Sequence, residues 1–389
     1  MAAPLKRIPL REFHVRQLGA QMGEFAGWEV PMLYESALKE HMVVRESVGV
    51  FDISHMGRLR VKGSHALDLL EAVFTKKVSK TRENHMSGPM LALNAWARVR
   101  DDEMAYRVSG DEWLLVPNAA YTEKMIEHLR STARRLGLDD VVVEDLTREY
   151  AMIAVQGPRA VEVMEKVGAS WAAELEPLEF RLEARVADAE AFLVSRSGWT
   201  GEDGFEIWAR PPEMIKIYKA LLGAGARPVG IISRDTLRIE MGFVLGGNEY
   251  GEDPRQWPCA LSLRYGMGAI DWGKTGYEGY EALRACRREG VRWIRVGFVM
   301  RKKHARIVPR HGYSIIVEGE RVGWVTSGAY SPVLGRSVGM GYIDVRYAIE
   351  DEPVEIEARG RKVEAKLRDP PFIEPKSLLK DKCARLATS

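Results

Sequence analysis

Apolar and polar residues alternate with period two over residues 58–62, Arg58-Leu59-Arg60-Val61-Lys62, which is the pattern of a half-buried strand. Ser64 then opens a stretch with Leu67, Leu70 and Phe74 at helical spacing, so a strand-to-helix unit is expected there. A near copy follows at a constant offset. Val61-x-Gly63-x-x-Ala66 with Leu69, Leu70, Glu71 and Val73 matches Val155-x-Gly157-x-x-Ala160 with Val163, Met164, Glu165 and Val167. Each copy is followed by an apolar strand and an amphipathic helix: 113–116 with 121–136 in the first, 205–209 with 213–222 in the second. A recurrence of V-x-G-x-x-A by chance would not bring matched downstream elements, so the pattern reads as a duplicated, ferredoxin-like α+β unit. Beyond Gly290 the pattern changes. Residues 293–299, 313–317, 321–326, 338–343, 354–358 and 363–367 show short apolar alternation without a long helix, and Glu318-Gly319-Glu320 and Arg359-Gly360-Arg361 supply hairpin turns. The chain therefore divides into a duplicated region over 1–290, an all-β domain over 291–372 and a polar tail over 373–389.

Composition narrows the function. At 389 residues, 46% apolar and 29% charged, the chain is long enough for two or three domains with real cores. No apolar run approaches a membrane span, and Met1 to Arg11 lack the apolar stretch of a secretory signal, so no membrane association is expected. A formal charge of +2 gives no support to a nucleic-acid partner. Cys259, Cys286 and Cys383 are too few and too scattered for a disulfide framework, and the eight histidines include no pair at helical ligand spacing, so no metal site is expected. No G-x-S-x-G elbow and no Walker-type loop occurs. Chemistry must rest on carboxylates, an organic cofactor, or both.

Two acidic segments stand out. Asp101-Asp102 comes just before the strand leading to Tyr106, where composition alone favours two solvated turn residues. On an extended segment neighbours face opposite sides, so at most one of them looks into a shared cavity, and Asp102 shares the face of Tyr106. Gly198-Trp199-Thr200-Gly201-Glu202-Asp203-Gly204-Phe205-Glu206 permits close backbone approach and carries three carboxylates with an aromatic plate. It lacks the twelve-residue frame of an EF-hand calcium loop. A flat heteroaromatic ligand with N–H donors would suit Glu206, with Trp199 as a packing face.

Several motifs together resemble the glycine cleavage system T-protein family, the aminomethyltransferases, over roughly residues 5–372. They are Phe25-Ala26-Gly27-Trp28-Glu29-Val30-Pro31, the run Val48 to Gly57 ending Asp52-Ile53-Ser54-His55-Met56-Gly57, Asp101-Asp102, Pro117-Asn118-Ala119 and Ser197 to Glu206. Ser233-Arg234-Asp235-Thr236-Leu237-Arg238-Ile239-Glu240, Pro309-Arg310-His311-Gly312 and Val325-Thr326-Ser327-Gly328 complete the set. The resemblance implies three domains, the last a small β-barrel, around a central folate cavity. It also implies transfer of the one-carbon unit of an aminomethyl group, carried on the dihydrolipoyl arm of H-protein, to tetrahydrofolate with release of ammonia. By the same resemblance Asp102 is the catalytic carboxylate, and Glu206, Trp199, Arg234, Asn118 and Met56 contact the folate. The resemblance begins near the family's mature start, which implies a prokaryotic, cytoplasmic protein. Departures include Ala97 and Arg98 where the family has two glycines, Pro89 where a tyrosine is common, and Trp199 in place of a tyrosine. Residues 274–281 lack the cysteine motif of a folate-dependent iron–sulfur-assembly relative. Two alternatives remain: a tetrahydrofolate-dependent demethylase of a small methylated compound, and a non-catalytic folate-binding regulatory protein.

Overall fold

The computed structural model describes residues 4–265 and 268–377. The first unit runs strand Leu59–Lys62, helix Ala66–Val73, a meander of strands His85–Leu93, Val99–Arg107 and Glu112–Val116, helix Thr122–Leu136 and strand Val142–Asp145. In its five-stranded sheet the meander is followed by Leu59–Lys62 and then Val142–Asp145. The second unit repeats the sequence of elements: strand Ala151–Gln156, helix Ala160–Lys166, strands Phe180–Val186, Ala189–Ser195 and Gly204–Ala209, helix Pro211–Gly223 and the short strand Arg227–Pro228. Its sheet keeps the same order with one change. Strand Gly49–Asp52, from ahead of the first unit, is inserted between Ala151–Gln156 and Arg227–Pro228.

The repeated V-x-G-x-x-A has a physical cause. Gly63 and Gly157 adopt φ of 135° and 137°, and a Cβ on either would lie 2.5 Å from the Asp140 carbonyl oxygen or 2.3 Å from that of Ser47. Only glycine fits both the positive φ and the close backbone approach.

Period two then sorts each strand. Leu59, Val61, Trp113 and Leu115 pack on their own unit's helices with Leu69, Leu70, Met125 and Leu129, while Ile153, Val155, Phe205 and Ile207 do the same in the second unit. The opposite faces of the two sheets meet through Phe51, Tyr106, Leu114, Met152, Phe180 and Trp208. The Tyr106 ring lies 5.4 Å from Phe180 and 5.6 Å from Trp208. Asp102 lies on the Tyr106 side of its strand and Glu206 on the Trp208 side of its own, so both carboxylates are aimed into the seam between the sheets.

Strands Trp293–Met300, Ser314–Val317, Glu320–Ser331, Arg336–Asp344, Pro353–Ala358 and Arg361–Leu367 close into a barrel filled by Phe298, Ile315, Val325, Ile343 and Ile356. Its two-residue turns, Glu318-Gly319 and Arg359-Gly360, have positive φ at both positions, which matches the strand twist. Two expectations need correction. Asp101 and Asp102 are not turn residues ahead of a strand but lie inside Val99–Arg107, buried, because the strand starts at Val99. The first residues of the expected polar tail are anchored. Ile373 is buried, the Lys376 N–H donates to Glu202 Oε2 at 3.0 Å, and Ser377 Oγ donates to the same oxygen at 2.8 Å. The remainder of that tail lies outside the described residues.

Candidate active site

Met56, Asp102, Asn118, Trp199, Glu206 and Arg234 line one cavity at the seam of the two sheets. The strand of Asp102 is held in register by the pairs Asp101 with Ala92 and Asp102 with Leu91. Asn118, just past strand Glu112–Val116, donates its Nδ2 to Asp102 Oδ1 at 2.9 Å and to Asp101 Oδ1 at 2.7 Å, and its backbone N–H to Asp101 Oδ2 at 2.9 Å. Two phenols complete the shell. Tyr250 donates to Asp102 Oδ1, and Tyr265 donates to Asp102 Oδ2 at 2.8 Å. Asp101, turned away from the cavity lining, anchors Asn118 rather than facing a ligand.

Burial pushes both carboxyls above the usual aspartate range. Asp101 is pushed far up, first by burial and then by the neighbouring Asp102 charge. Asp102 rises as well, through burial, but the bonds from Tyr250, Tyr265 and Asn118 favour its ionised form and oppose the rise.

Across the seam, Ser197 Oγ donates to Glu206 Oε2 at 2.7 Å, and burial raises the Glu206 carboxyl against the opposing pulls of Ser197 and the Arg234 cation. Arg234, on helix Ile231–Met241, is lowered by burial while the charges of Glu206 and Asp102 pull it back up, so one guanidinium is in electrostatic reach of both carboxylates. Trp199 packs against Phe243 with ring centroids 4.8 Å apart, and Met86, Pro89 and Met104 add apolar wall. The other two carboxylates of the glycine-rich loop are spent elsewhere. Glu202 Oε1 accepts from Arg45 Nη1 at 3.0 Å, and Asp203 faces Arg196 through two bonds of 2.6 and 3.0 Å. The sequence does not single out Tyr250, Tyr265 or Phe243, and it includes Ser197 in the motif ending at Glu206 without giving it a role. Among the described residues the one His and carboxylate group at metal-ligand spacing is His85, Glu176 and Glu179. There Arg82 Nη2 already donates to His85 Nε2 and to Glu176, each at 2.8 Å.

Two duplicated α+β units meet at an acidic, aromatic-walled cleft, with a closed barrel beside them. Residues 11–265 match the family described as GCVT N-terminal domain, and residues 294–374 match the glycine cleavage T-protein C-terminal barrel domain. The chain belongs to the glycine cleavage T-protein family. It is 58% identical over 370 residues to a probable aminomethyltransferase of Aeropyrum pernix, a match covering 95% of this chain and 98% of that one. It is 35% identical over 379 residues to an aminomethyltransferase of Symbiobacterium thermophilum, covering 96% and 98%. The fold superposes with a TM-score of 0.86, at 30% identity, on the crystal structure of glycine cleavage system aminomethyltransferase T from Bartonella henselae, covering 96% of this chain and 99% of that one.

Proposed function

We propose that the cavity binds tetrahydrofolate and that the chain is an aminomethyltransferase, moving the one-carbon unit of an aminomethyl group on the dihydrolipoyl arm of H-protein to that folate and releasing ammonia. The observation that supports it most is the meeting of Asp102 and Glu206, from the facing sides of two different sheets, in one cleft with Arg234 in reach of both. Bound tetrahydrofolate supplies the nucleophilic nitrogens. Glu206 is the acceptor for ring N–H groups, and a carboxylate can take two such bonds side by side. Trp199, Phe243 and Met56 cover the ring faces and exclude water. Asp102, ionised in a dry site and held by neutral donors, meets positive charge developing on a folate nitrogen more strongly than water does. Holding that nitrogen against the carbon of a tethered arm replaces a bimolecular encounter, with effective molarities that reach about 10⁵ M in good geometry.

A tetrahydrofolate-dependent demethylase would use the same pocket, and a non-catalytic folate binder would need Glu206 without the shell around Asp102. Relatives matched over nearly their whole length are named aminomethyltransferases, which weighs against both. Among the described residues no helix is long and apolar enough to cross a membrane. A cytoplasmic location belongs to the same proposal and rests on the family resemblance alone. The test supplies aminomethylated H-protein and tetrahydrofolate and follows ammonia and methylenetetrahydrofolate, both of which should form. Folate binding without either product would point to the non-catalytic binder, and turnover of a small methylated amine instead would point to the demethylase.

A further inference from the structure

Strands and helices place Asp102 at the cavity, but they do not explain what fixes its carboxyl group. Both of its oxygens are taken by phenols from the irregular segment 243–265: Tyr250 on Oδ1 and Tyr265 on Oδ2. Tyr250 also lies 3.2 Å from Asp101 Oδ1, so its hydroxyl bridges the two aspartates. The segment is shaped to deliver these rings. The Gly247 N–H donates to the Tyr250 carbonyl at 2.8 Å, closing a tight loop. A Cβ on Gly246 would lie 2.4 Å from the Tyr121 ring and 3.0 Å from the Tyr250 hydroxyl, so a side chain there would displace the phenol from Asp102.

The barrel holds this segment from behind. Tyr342 donates its hydroxyl to the Glu249 carbonyl at 2.7 Å, next to Tyr250. Ser327 Oγ donates to Glu249 Oε1 at 2.6 Å, and from helix Ile231–Met241, outside the barrel, Arg238 Nη1 donates to Glu249 Oε2 at 2.9 Å. Arg295 Nε donates to the Leu263 carbonyl at 2.6 Å, two residues before Tyr265. Among the described residues none of the barrel lines the cavity.

We infer that Tyr250 and Tyr265 are positioning residues for Asp102, fixing its carboxylate toward the cavity and passing to it the grip of a barrel that never reaches the ligand. This rests on the reading of Asp102 as the carboxylate that meets the folate nitrogen. Two phenols suit that task better than lysine or arginine. A cation would neutralise the charge the reaction uses, whereas a neutral donor orients the carboxylate and leaves the charge in place. Oδ1 also accepts from Asn118 and is fully used, while Oδ2, with Tyr265 as its one donor among the described residues, keeps a lone pair for the ligand. The groups facing Asp102 are Asp101 and Glu103 from its own strand, Tyr121 from the start of helix Thr122–Leu136, the two tyrosines, and Arg234 from helix Ile231–Met241. Of these and Asn118, only the two tyrosines and Asn118 donate hydrogen bonds to its oxygens.

The test uses Tyr250→Phe and Tyr265→Phe in the full chain, with folding checked by thermal melting; Tyr265, half-buried, is the variant less prone to disturb packing. In ligand-free protein labelled at the aspartate carboxyl carbon, the Asp102 signal, identified by its loss in Asp102→Asn, is followed with pH. Its midpoint should rise by about one pH unit in each variant, because a donor to the charged form has been removed. In the transfer assay kcat should fall about tenfold with KM for tetrahydrofolate unchanged, and the acid limb should move upward by the same amount. Adding either substitution to Asp102→Asn should cause no further loss of rate. An unmoved Asp102 titration with wild-type turnover in both variants overturns the proposal. Shifted titrations in an enzyme that forms no methylenetetrahydrofolate would instead sink the functional reading and leave the tyrosine clamp standing.

Discussion

In the first unit Asp101 and Asp102 lie buried side by side, and the side-chain bonds they accept come from neutral groups, Asn118, Tyr250 and Tyr265. In the second unit the loop after strand Ala189–Ser195 has the same number of adjacent acids, but Glu202 faces Arg45 and Asp203 faces Arg196. Of the three, Glu206, four residues beyond Glu202, lines the cavity, and Ser197 Oγ donates to it. Burial does not separate the two cases, since Glu202 and Asp101 are equally inaccessible. Partner chemistry does. A carboxylate matched to a guanidinium at close range is committed to the scaffold, whereas Asp102 and Glu206, which line the cavity and are held by neutral donors, remain open to a ligand.

The contrast can be broken first on its scaffold side. Asp203→Asn leaves Arg196 as an uncompensated buried cation and should cost about 3–5 kcal/mol of unfolding free energy in denaturant titrations. On the site side, Asp102→Asn should retain tetrahydrofolate yet lower single-turnover transfer from aminomethylated H-protein by about 10²-fold or more. Asp101→Asn provides the comparison. It unsettles the Asn118 anchor and should cost about 1–3 kcal/mol of stability, with transfer per folded molecule changing far less. A larger rate loss in Asp101→Asn than in Asp102→Asn would exchange their roles.

Glu206→Gln sharpens the same boundary within one loop. Calorimetry should show tetrahydrofolate affinity reduced by about 1.5–3 kcal/mol, with turnover at saturation nearly kept. The pH dependence has a definite sign. Because burial raises the Glu206 carboxyl, wild-type affinity should weaken as pH falls through that raised value, where protonation removes one acceptor, whereas Glu206→Gln should be flat over the same range. The smallest effect concerns H-protein. With a formal charge of only +2, turnover should fall by no more than a few-fold between low and physiological salt. Equal reaction of free dihydrolipoamide adducts at all ionic strengths would remove protein docking from the account.

Periodicity carried much of this architecture. The duplicated unit, the six barrel strands and the face of Asp102, counted onto Tyr106, all follow from side chains alternating along a strand. What stayed hidden has a common cause. Tyr250 meets Asp102 across 148 residues of chain, and Arg45 meets Glu202 across 157, from segments whose local patterns say nothing about each other. Three loop carboxylates look alike in one dimension, and their cations distinguish them: Arg45 lies 157 residues from Glu202, and Arg196 lies seven from Asp203. The anchoring of Lys376 and Ser377 on Glu202 is hidden for the same reason, since a polar run reads as solvated until its partner is known.

Strand Gly49–Asp52 also bears on how the chain reaches this form. Its residues leave the ribosome before either repeat, yet the neighbours it pairs with, Ala151–Gln156 and Arg227–Pro228, arrive roughly a hundred residues later or more. Until then it is an unpaired edge of the kind that invites wrong pairing. The second of the two similar units is thus closed by a strand made before the first, and a chain truncated after the first repeat should recruit chaperones or aggregate rather than fold. The two halves are duplicates in pattern, yet the second sheet is closed by a strand that precedes both, and long-range closures of that kind slow folding.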